Sequence, residues 1–306
     1  MKARYFPVHL FLAHKRKKDH NPGPYLGKEF FVPRENEKSV RVRLYRPFGE
    51  CEDAVLPVLF NVHGGGWLFG DAEGVDLQSQ YLANHLKCFV VNIHYLLADE
   101  RPFPYQQTEV ADAAVYFLEH AETFRLDPAR AVVMGYSAGG HISAGAAMLL
   151  RDRGVKLTRQ VLCYPFLNFT GFDFAAYSGI GGIKAKIFNP FAASVLFEKL
   201  PLEHPLVSPC RAKPEDLQGL APAVIITCGK GDPLLPQGKD YAEKLNAAGI
   251  PAEYREYAAA EHGFMEHNFK DDPAVFAKET EQDALMRQAV DYVAKMDIFN
   301  ALCTEF

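Results

Sequence analysis

Residues 131–150 read Ala-Val-Val-Met-Gly-Tyr-Ser-Ala-Gly-Gly-His-Ile-Ser-Ala-Gly-Ala-Ala-Met-Leu-Leu, and this stretch decides the fold. Ala131 to Met134 is a short apolar run, the signature of a buried strand. Ala138 to Leu150 is rich in small residues and reads as a helix packed tightly against its surroundings. Between them lies Gly135-Tyr136-Ser137-Ala138-Gly139, a G-x-S-x-G pattern. The pattern alone carries little weight, but a strand before it and a helix after it supply the context that does. A sharp, strained turn needs glycines where side chains would clash. The free N–H groups and dipole of the new helix then face any negative charge that develops there. A serine at this position can also serve only as a helix cap. The strand, turn and helix together favour Ser137 as a nucleophile.

Working outward, further apolar runs rich in Val and Ile read as buried parallel strands: Val58 to Val62, Phe89 to His94, Gln160 to Cys163 and Val224 to Cys228. Ala252 to Tyr257 reads as a late strand, and Val40 to Arg46 alternates as an antiparallel edge strand would. Helical patterns cover Glu109 to His120, Gly238 to Ala248 (with Gly249 as its C-cap) and roughly Asp283 to Lys295. Strands alternating with helices predict an α/β class: a mostly parallel central sheet flanked by helices. Two segments stand outside this rhythm, the first 35 or so residues and the stretch from Pro165 to Pro222. The second shows no strand and is rich in aromatics, among them Phe166, Phe169, Phe172, Phe174, Tyr177, Phe188, Phe191 and Phe197. A long excursion of this kind is often a lid.

His63-Gly64-Gly65-Gly66-Trp67 follows the Val58 to Val62 strand. Successive glycines let backbone N–H groups approach a substrate closely, as acyl transfer requires when a carbonyl oxygen takes on a full charge. His63 lies upstream of the serine and fits a role in holding this loop. For a serine followed in chain order by an acid and then a histidine, the candidates are Asp232 and His262. Asp232 follows the Val224 to Cys228 strand, and His262 follows Ala252 to Tyr257. Both thus sit at carboxyl ends of strands, where open α/β sheets place reactive groups. Asp240 and His267 are the fallback acid and base. Glu261 adjoins the base and is expected to point elsewhere, and His204 lies in the excursion.

Bulk properties exclude other classes. The net charge of −5 over 306 residues opposes a nucleic-acid role. The six cysteines form no C-x-x-C pair, so neither a zinc site nor a dithiol motif is signalled, and buried free thiols in a reducing, cytoplasmic setting are expected. The apolar start from Tyr5 to Ala13 holds Pro7 and His9 and runs into Lys15-Arg16-Lys17-Lys18. It reads as neither signal peptide nor membrane span, and the basic run as a solvated face.

H-G-G-G-W at 63–67, G-Y-S-A-G-G at 135–140, G-x-G-D-P-L around Asp232 and H-G-F at 262–264 together resemble the hormone-sensitive-lipase-like family of α/β-hydrolases, the bacterial acetyl esterase and carboxylesterase group. The likeness runs from about Val40 to the C-terminus. It implies a single α/β-hydrolase domain over 1–306 with a small, mainly helical cap formed by about 1–35 and the insertion at about 166–215. It also implies an oxyanion hole made by the backbone N–H groups of Gly65, Gly66 and Ala138. Where the family usually has Asp or Thr before the nucleophile, this chain has Tyr136, as capless acetyl and feruloyl esterases have an aromatic residue there. The expected activity is hydrolysis of short-chain acyl (acetyl-type) esters through an acyl-enzyme, in an aromatic-lined pocket under a lid. An amide hydrolase of arylformamidase type is the alternative. A non-catalytic ligand-binding homologue is a third reading, disfavoured because Ser137, Asp232 and His262 are all present. The expected partner is a small-molecule ester, with no metal, no organic cofactor and no stable membrane insertion; a homodimer through the apolar C-terminal helix is a further expectation.

Overall fold

Each apolar run becomes a strand, and the strands assemble into one sheet. The computed structural model describes residues 6–20, 22–171, 190–194, 196–229, 231–266 and 280–300. The strands are β1 (Lys28–Val32), β2 (Val40–Tyr45), β3 (Leu56–Val62), β4 (Phe89–His94), β5 (Leu126–Tyr136), β6 (Arg159–Cys163), β7 (Ala223–Cys228) and β8 (Ala252–Tyr257). Their order across the sheet is β1-β2-β4-β3-β5-β6-β7-β8. β1 and β2 run antiparallel, as do β2 and β4, and every other neighbouring pair is parallel. β3, β6 and β7 are buried along their whole length, which explains why they show no strict alternation of apolar and polar residues.

The helices are α1 (Phe6–Asp19), α2 (Asp76–Leu86), α3 (Tyr105–Glu119), α4 (Ala121–Phe124), α5 (Ala138–Asp152), α6 (Pro214–Leu217), α7 (Leu235–Ala247) and α8 (Glu281–Lys295). They cover the sheet in two layers. Phe117 of α3, Ile142 of α5 and Leu245 of α7 join Val58, Phe60 and Val133 in one core. Leu82 of α2 and Met286 and Val290 of α8 join Leu59, Val132 and Met134 in the other. Successive strand residues thus feed opposite cores, as the two-residue strand period requires. Thr280 caps α8 and exchanges bonds with Asp283, which sets the start of that helix.

One expectation is overturned. Val40 to Arg46 is not the sheet edge, because β1 pairs outside it. The expected cap segment 1–35 therefore includes five residues that belong to the sheet. Only Val32 of β1 is fully buried, so Lys28-Glu-Phe-Phe-Val carries too weak a pattern to be seen as a strand. The basic run is also not wholly solvated. Lys15, Lys17 and Lys18 are exposed, but Arg16 donates to the Leu68 carbonyl at 2.8 Å and pairs with Asp99 at 2.5 Å. Leu12 of α1 is buried in the first core, and the His9 ring meets Phe191 at 5.3 Å. Between Pro165 and Pro222 no strand occurs among the described residues. The parallel strands all end on one edge, and that edge collects the loops after β3, β5, β7 and β8.

Candidate active site

Ser137 sits between β5 and α5 with φ 52° and ψ −113°, a conformation that side-chain-bearing residues avoid. Neighbouring backbone holds it there. Its N–H donates to the Cys163 carbonyl at 2.9 Å, and its carbonyl accepts from His141 and Phe166 at 3.1 and 3.3 Å. A Cβ on Gly139 would run into the carbonyls of Val62 and His63, so only glycine lets β3 and the start of α5 approach this closely.

The loops after β7 and β8 complete a hydrogen-bonded chain. His262 Nε2 lies 2.9 Å from Ser137 Oγ, and His262 Nδ1 lies 2.9 Å from Asp232 Oδ2. The Asp232 carboxylate is almost fully buried while the His262 side chain keeps 30% exposure. The other carboxylate oxygen accepts the Leu234 N–H at 2.9 Å, which fixes its plane. Donation from Nδ1 to the Asp232 carboxylate leaves the Nε2 lone pair facing the serine hydroxyl. Such an arrangement can take a proton from the hydroxyl and return it.

The glycine loop lies alongside. Gly65 and Gly66 have φ of 116° and 60°, and Trp67 follows at 61°. A Cβ on Gly65 would strike the Phe69 carbonyl, so this turn requires glycine. His63 Nδ1 lies 2.7 Å from the Gly64 carbonyl, and the Tyr95 hydroxyl donates to the His63 carbonyl at 3.1 Å. Burial lowers the His63 pKa, so the ring stays neutral and donates from Nδ1. The loop-holding role expected of His63 is therefore visible in its contacts. The N–H groups of Gly65, Gly66 and Ala138 have no acceptor among the described residues.

A cavity of about 640 Å³ opens beside His262, Gly64 and Gly65. Its described lining is largely polar and ionisable. Arg16, Lys17, Arg41, Asp71, Glu100 and Glu266 all border it, and Phe69 is the one phenyl ring among its described residues. Described aromatics of the insertion pack on Trp67 and on one another. Phe166 and Phe169 pack on Trp67 with ring centroids at 5.0 Å, and Phe197 packs on Phe169 at 4.8 Å. Sequence shows aromatic density but not the direction in which the rings point. Phe172, Phe174, Tyr177 and Phe188 lie outside the described residues.

The fallback residues fall away from the chain or beyond it. Asp240 is exposed on α7, and the Leu206 N–H donates to His204 Nδ1 at 3.1 Å in the insertion. Glu261 is exposed, and its N–H donates to Gln282. His267 lies outside the described residues. Tyr136 is fully buried in the second core, 6.2 Å from the Tyr164 ring, rather than facing the cavity. Cys228 joins Asp232 and His262 within 4.8 Å, a grouping that could hold a metal ion. Burial, with Asp232 nearby, pushes its thiol well up, so it stays protonated and is a poor ligand at neutral pH.

Several supporting residues escape the sequence reading. Trp67 Nε1 donates to His141 Nδ1 at 3.1 Å, and His141 Nε2 donates to the Val207 carbonyl at 2.9 Å. Burial pushes His141 down to about 4, which keeps it neutral and able to accept. The Gln237 Oε1 atom accepts the N–H groups of Leu167 and Asn168 at 2.6 and 2.8 Å, pinning the start of the insertion. Glu266 accepts the Gly64 N–H. The one available signal was position: His141 falls one turn after Ser137, and Glu266 one turn after His262.

A family model described as the alpha/beta hydrolase fold matches residues 59–266. An arylesterase of Saccharolobus solfataricus is 32% identical over 213 residues, 69% of this chain and 68% of the relative. A carboxylesterase of Mycobacterium tuberculosis, NlhH, is 35% identical over 233 residues, 74% of this chain and 71% of the relative. Across such curated relatives the match spans about two thirds of their length, 61% to 71%. A thermostable esterase of Pseudomonas putida superposes with a TM-score of 0.75 at 26% identity, covering 95% of this chain and 89% of that one. Fold and site together define the class, a serine hydrolase of the carboxylic ester hydrolase type. The chain belongs to the hormone-sensitive-lipase-like family of α/β-hydrolases.

Proposed function

We propose that this protein is a carboxylesterase that hydrolyses short-chain acyl esters through an acyl-enzyme on Ser137. The observation that carries this reading is the chain Ser137–His262–Asp232, with both links at 2.9 Å, beside a glycine loop in which the Gly65 and Gly66 N–H groups have no acceptor among the described residues. His262 Nε2 takes the hydroxyl proton as Oγ bonds to the ester carbonyl carbon. The carbonyl oxygen becomes an oxyanion and accepts hydrogen bonds from the N–H groups of Gly65, Gly66 and Ala138. The tetrahedral species collapses, the C–O bond to the alcohol breaks, and His262 hands its proton to the departing oxygen. Water then repeats the sequence on the acyl-enzyme, releasing the acid and restoring Ser137. Asp232 holds the imidazole tautomer and stabilises the imidazolium.

The ionisable lining of the cavity supports small acyl groups over long alkyl chains. A series of nitrophenyl esters from acetate to decanoate, with acetylated sugars alongside, tests this. Acetate to butyrate are expected to be turned over at least about tenfold faster than decanoate; a maximum at decanoate overturns the preference. Faster turnover of N-formylkynurenine than of any ester would move the reaction to amides.

In this reading the cap combines α1 with the insertion after β6, and the His9–Phe191 ring contact supports that pairing. The five described cysteines are free, which supports a reducing, cytoplasmic setting. No described helix is long and apolar enough to cross a membrane. For a homodimer α8 offers little, because Met286, Ala289, Val290 and Val293 are buried against the chain's own core. Sedimentation velocity at micromolar concentration measures the assembly state.

A further inference from the structure

We infer that Glu266 is the positioning residue that sets the geometry of the oxyanion loop. The inference rests on the proposed roles of Ser137 and the glycine loop and assigns a group that the motifs do not contain. Glu266 lies four residues after His262, and its N–H donates to the Gly263 carbonyl at 2.8 Å, closing the turn that carries the base. Its carboxylate reaches across the site. Oε1 accepts the Gly64 N–H at 2.8 Å across 202 positions of sequence, and Oε2 accepts the Tyr164 hydroxyl at 3.3 Å. The Tyr164 ring in turn meets His262 edge-on at 5.0 Å. One carboxylate thus links the loops after β3, β6 and β8.

The consequence follows from the planarity of the peptide bond. The carbonyl of Gly64 and the N–H of Gly65 belong to one planar trans unit and point in opposite directions. His63 Nδ1 holds the Gly64 carbonyl at 2.7 Å. Glu266 holds the N–H of the same residue, so Gly64 is gripped on both sides. Fixing both ends of a residue with no side chain removes the rotation that glycine otherwise allows. The Gly65 N–H is then aimed before substrate arrives. The position is also crowded, because a Cβ on Gly64 would sit 2.8 Å from Glu266 Oε2 and 3.1 Å from the Tyr136 carbonyl.

The test is the pair Glu266→Ala and Glu266→Gln in the full-length protein, with Ser137→Ala as control. The readouts are kcat and KM on nitrophenyl acetate and the inhibition constant of an aryl trifluoromethyl ketone, whose adduct places an oxyanion in the loop. Loss of an aimed donor costs on the order of 100-fold in kcat. Glu266→Ala is expected to lower kcat by about 10- to 100-fold with KM within about threefold. Affinity for the ketone should fall by the same factor as kcat. Glu266→Gln, which keeps an oxygen for the Gly64 N–H, should recover most of the loss. Values of kcat and ketone affinity within twofold of the parent in the alanine variant overturn the inference. If that variant does not fold, Glu266→Asp, whose carboxylate stops one methylene short of the Gly64 N–H, decides. In it, kcat and ketone affinity falling together support the clamp, whereas a change in KM alone, with kcat and ketone affinity within twofold of the parent, overturns it. Turnover retained by Ser137→Ala sinks the underlying reading instead, so the two failures are distinguishable.

Discussion

In the proposed mechanism, the two halves of this site are built on opposite principles. On the acid–base side, Ser137, His262 and Asp232 stand on three separate loops, each linked to the next by one hydrogen bond, and His262 is 30% exposed. On the oxyanion side, the glycine loop is held by its own His63 on the Gly64 carbonyl and by groups from distant parts of the chain: Tyr95 on the His63 carbonyl, His141 under Trp67, Glu266 on Gly64 and Arg16 on Leu68. In the proposed mechanism protons pass between the Ser137 and His262 side chains. An oxyanion is stabilised by donors that must not move, because reorganising them during the reaction would consume the benefit. The comparison predicts sharp, chemical losses on the first side and graded, partly structural losses on the second.

The largest effect should come from His262→Ala. Removing the base is expected to lower kcat on nitrophenyl acetate by about six orders of magnitude, with the melting temperature little changed. Asp232→Asn keeps the shape of the chain but not the charge or the tautomer, and should cost about four orders. Steady-state kinetics with circular dichroism checks both. A loss of less than about 100-fold for His262→Ala would break the contrast between the two sides.

On the other side, His141→Ala removes the acceptor of the Trp67 Nε1–H and the donor to the Val207 carbonyl and opens a cavity. A stability loss of about 2 to 4 kcal/mol is expected by urea denaturation. The accompanying fall in kcat should be far smaller than for His262→Ala.

Acid sensitivity separates the sides further. Burial alone would raise the Glu73 carboxyl, but hydrogen bonds from Arg43 and Arg41 outweigh it and hold the group at about 2. Glu73 lies in the turn Ala72–Val75, which follows the glycine loop, and bonds Arg43 on β2 at 2.8 Å. A depressed carboxyl contributes stability that is present above its unfolded pKa, about 4.3. That contribution is lost as pH falls from there toward about 2. Melting temperature against pH should therefore drop more steeply in the parent than in Glu73→Gln over this window. The smallest effect is expected at Tyr136. Its side chain is buried away from the cavity, so Tyr136→Phe should keep kcat/KM within about threefold.

What was legible in the sequence divides along the same line. Ser137 and Asp232 could be proposed because each follows a buried apolar run, and His262 because it follows the late strand Ala252–Tyr257; parallel strands bring their carboxyl ends together. The order serine, acid, base then left few candidates. His63-Gly64-Gly65-Gly66-Trp67 was legible for the same reason, lying after β3. Its supports were not, because the Gly64–Glu266 and Trp67–His141 contacts join residues 202 and 74 positions apart with no periodic signal between them. β1 was hidden by its one-sided pairing and its largely exposed residues. Tyr136 carried the departure from the family pattern, yet only coordinates show that its ring faces the core.

The central claim is that Ser137 carries the acyl group. A fluorophosphonate probe followed by intact-mass and peptide mass spectrometry tests it most directly. The account predicts one adduct per chain, mapped to Ser137, abolished by Ser137→Ala and strongly slowed by His262→Ala. An adduct on another residue, or labelling that survives Ser137→Ala, would contradict it.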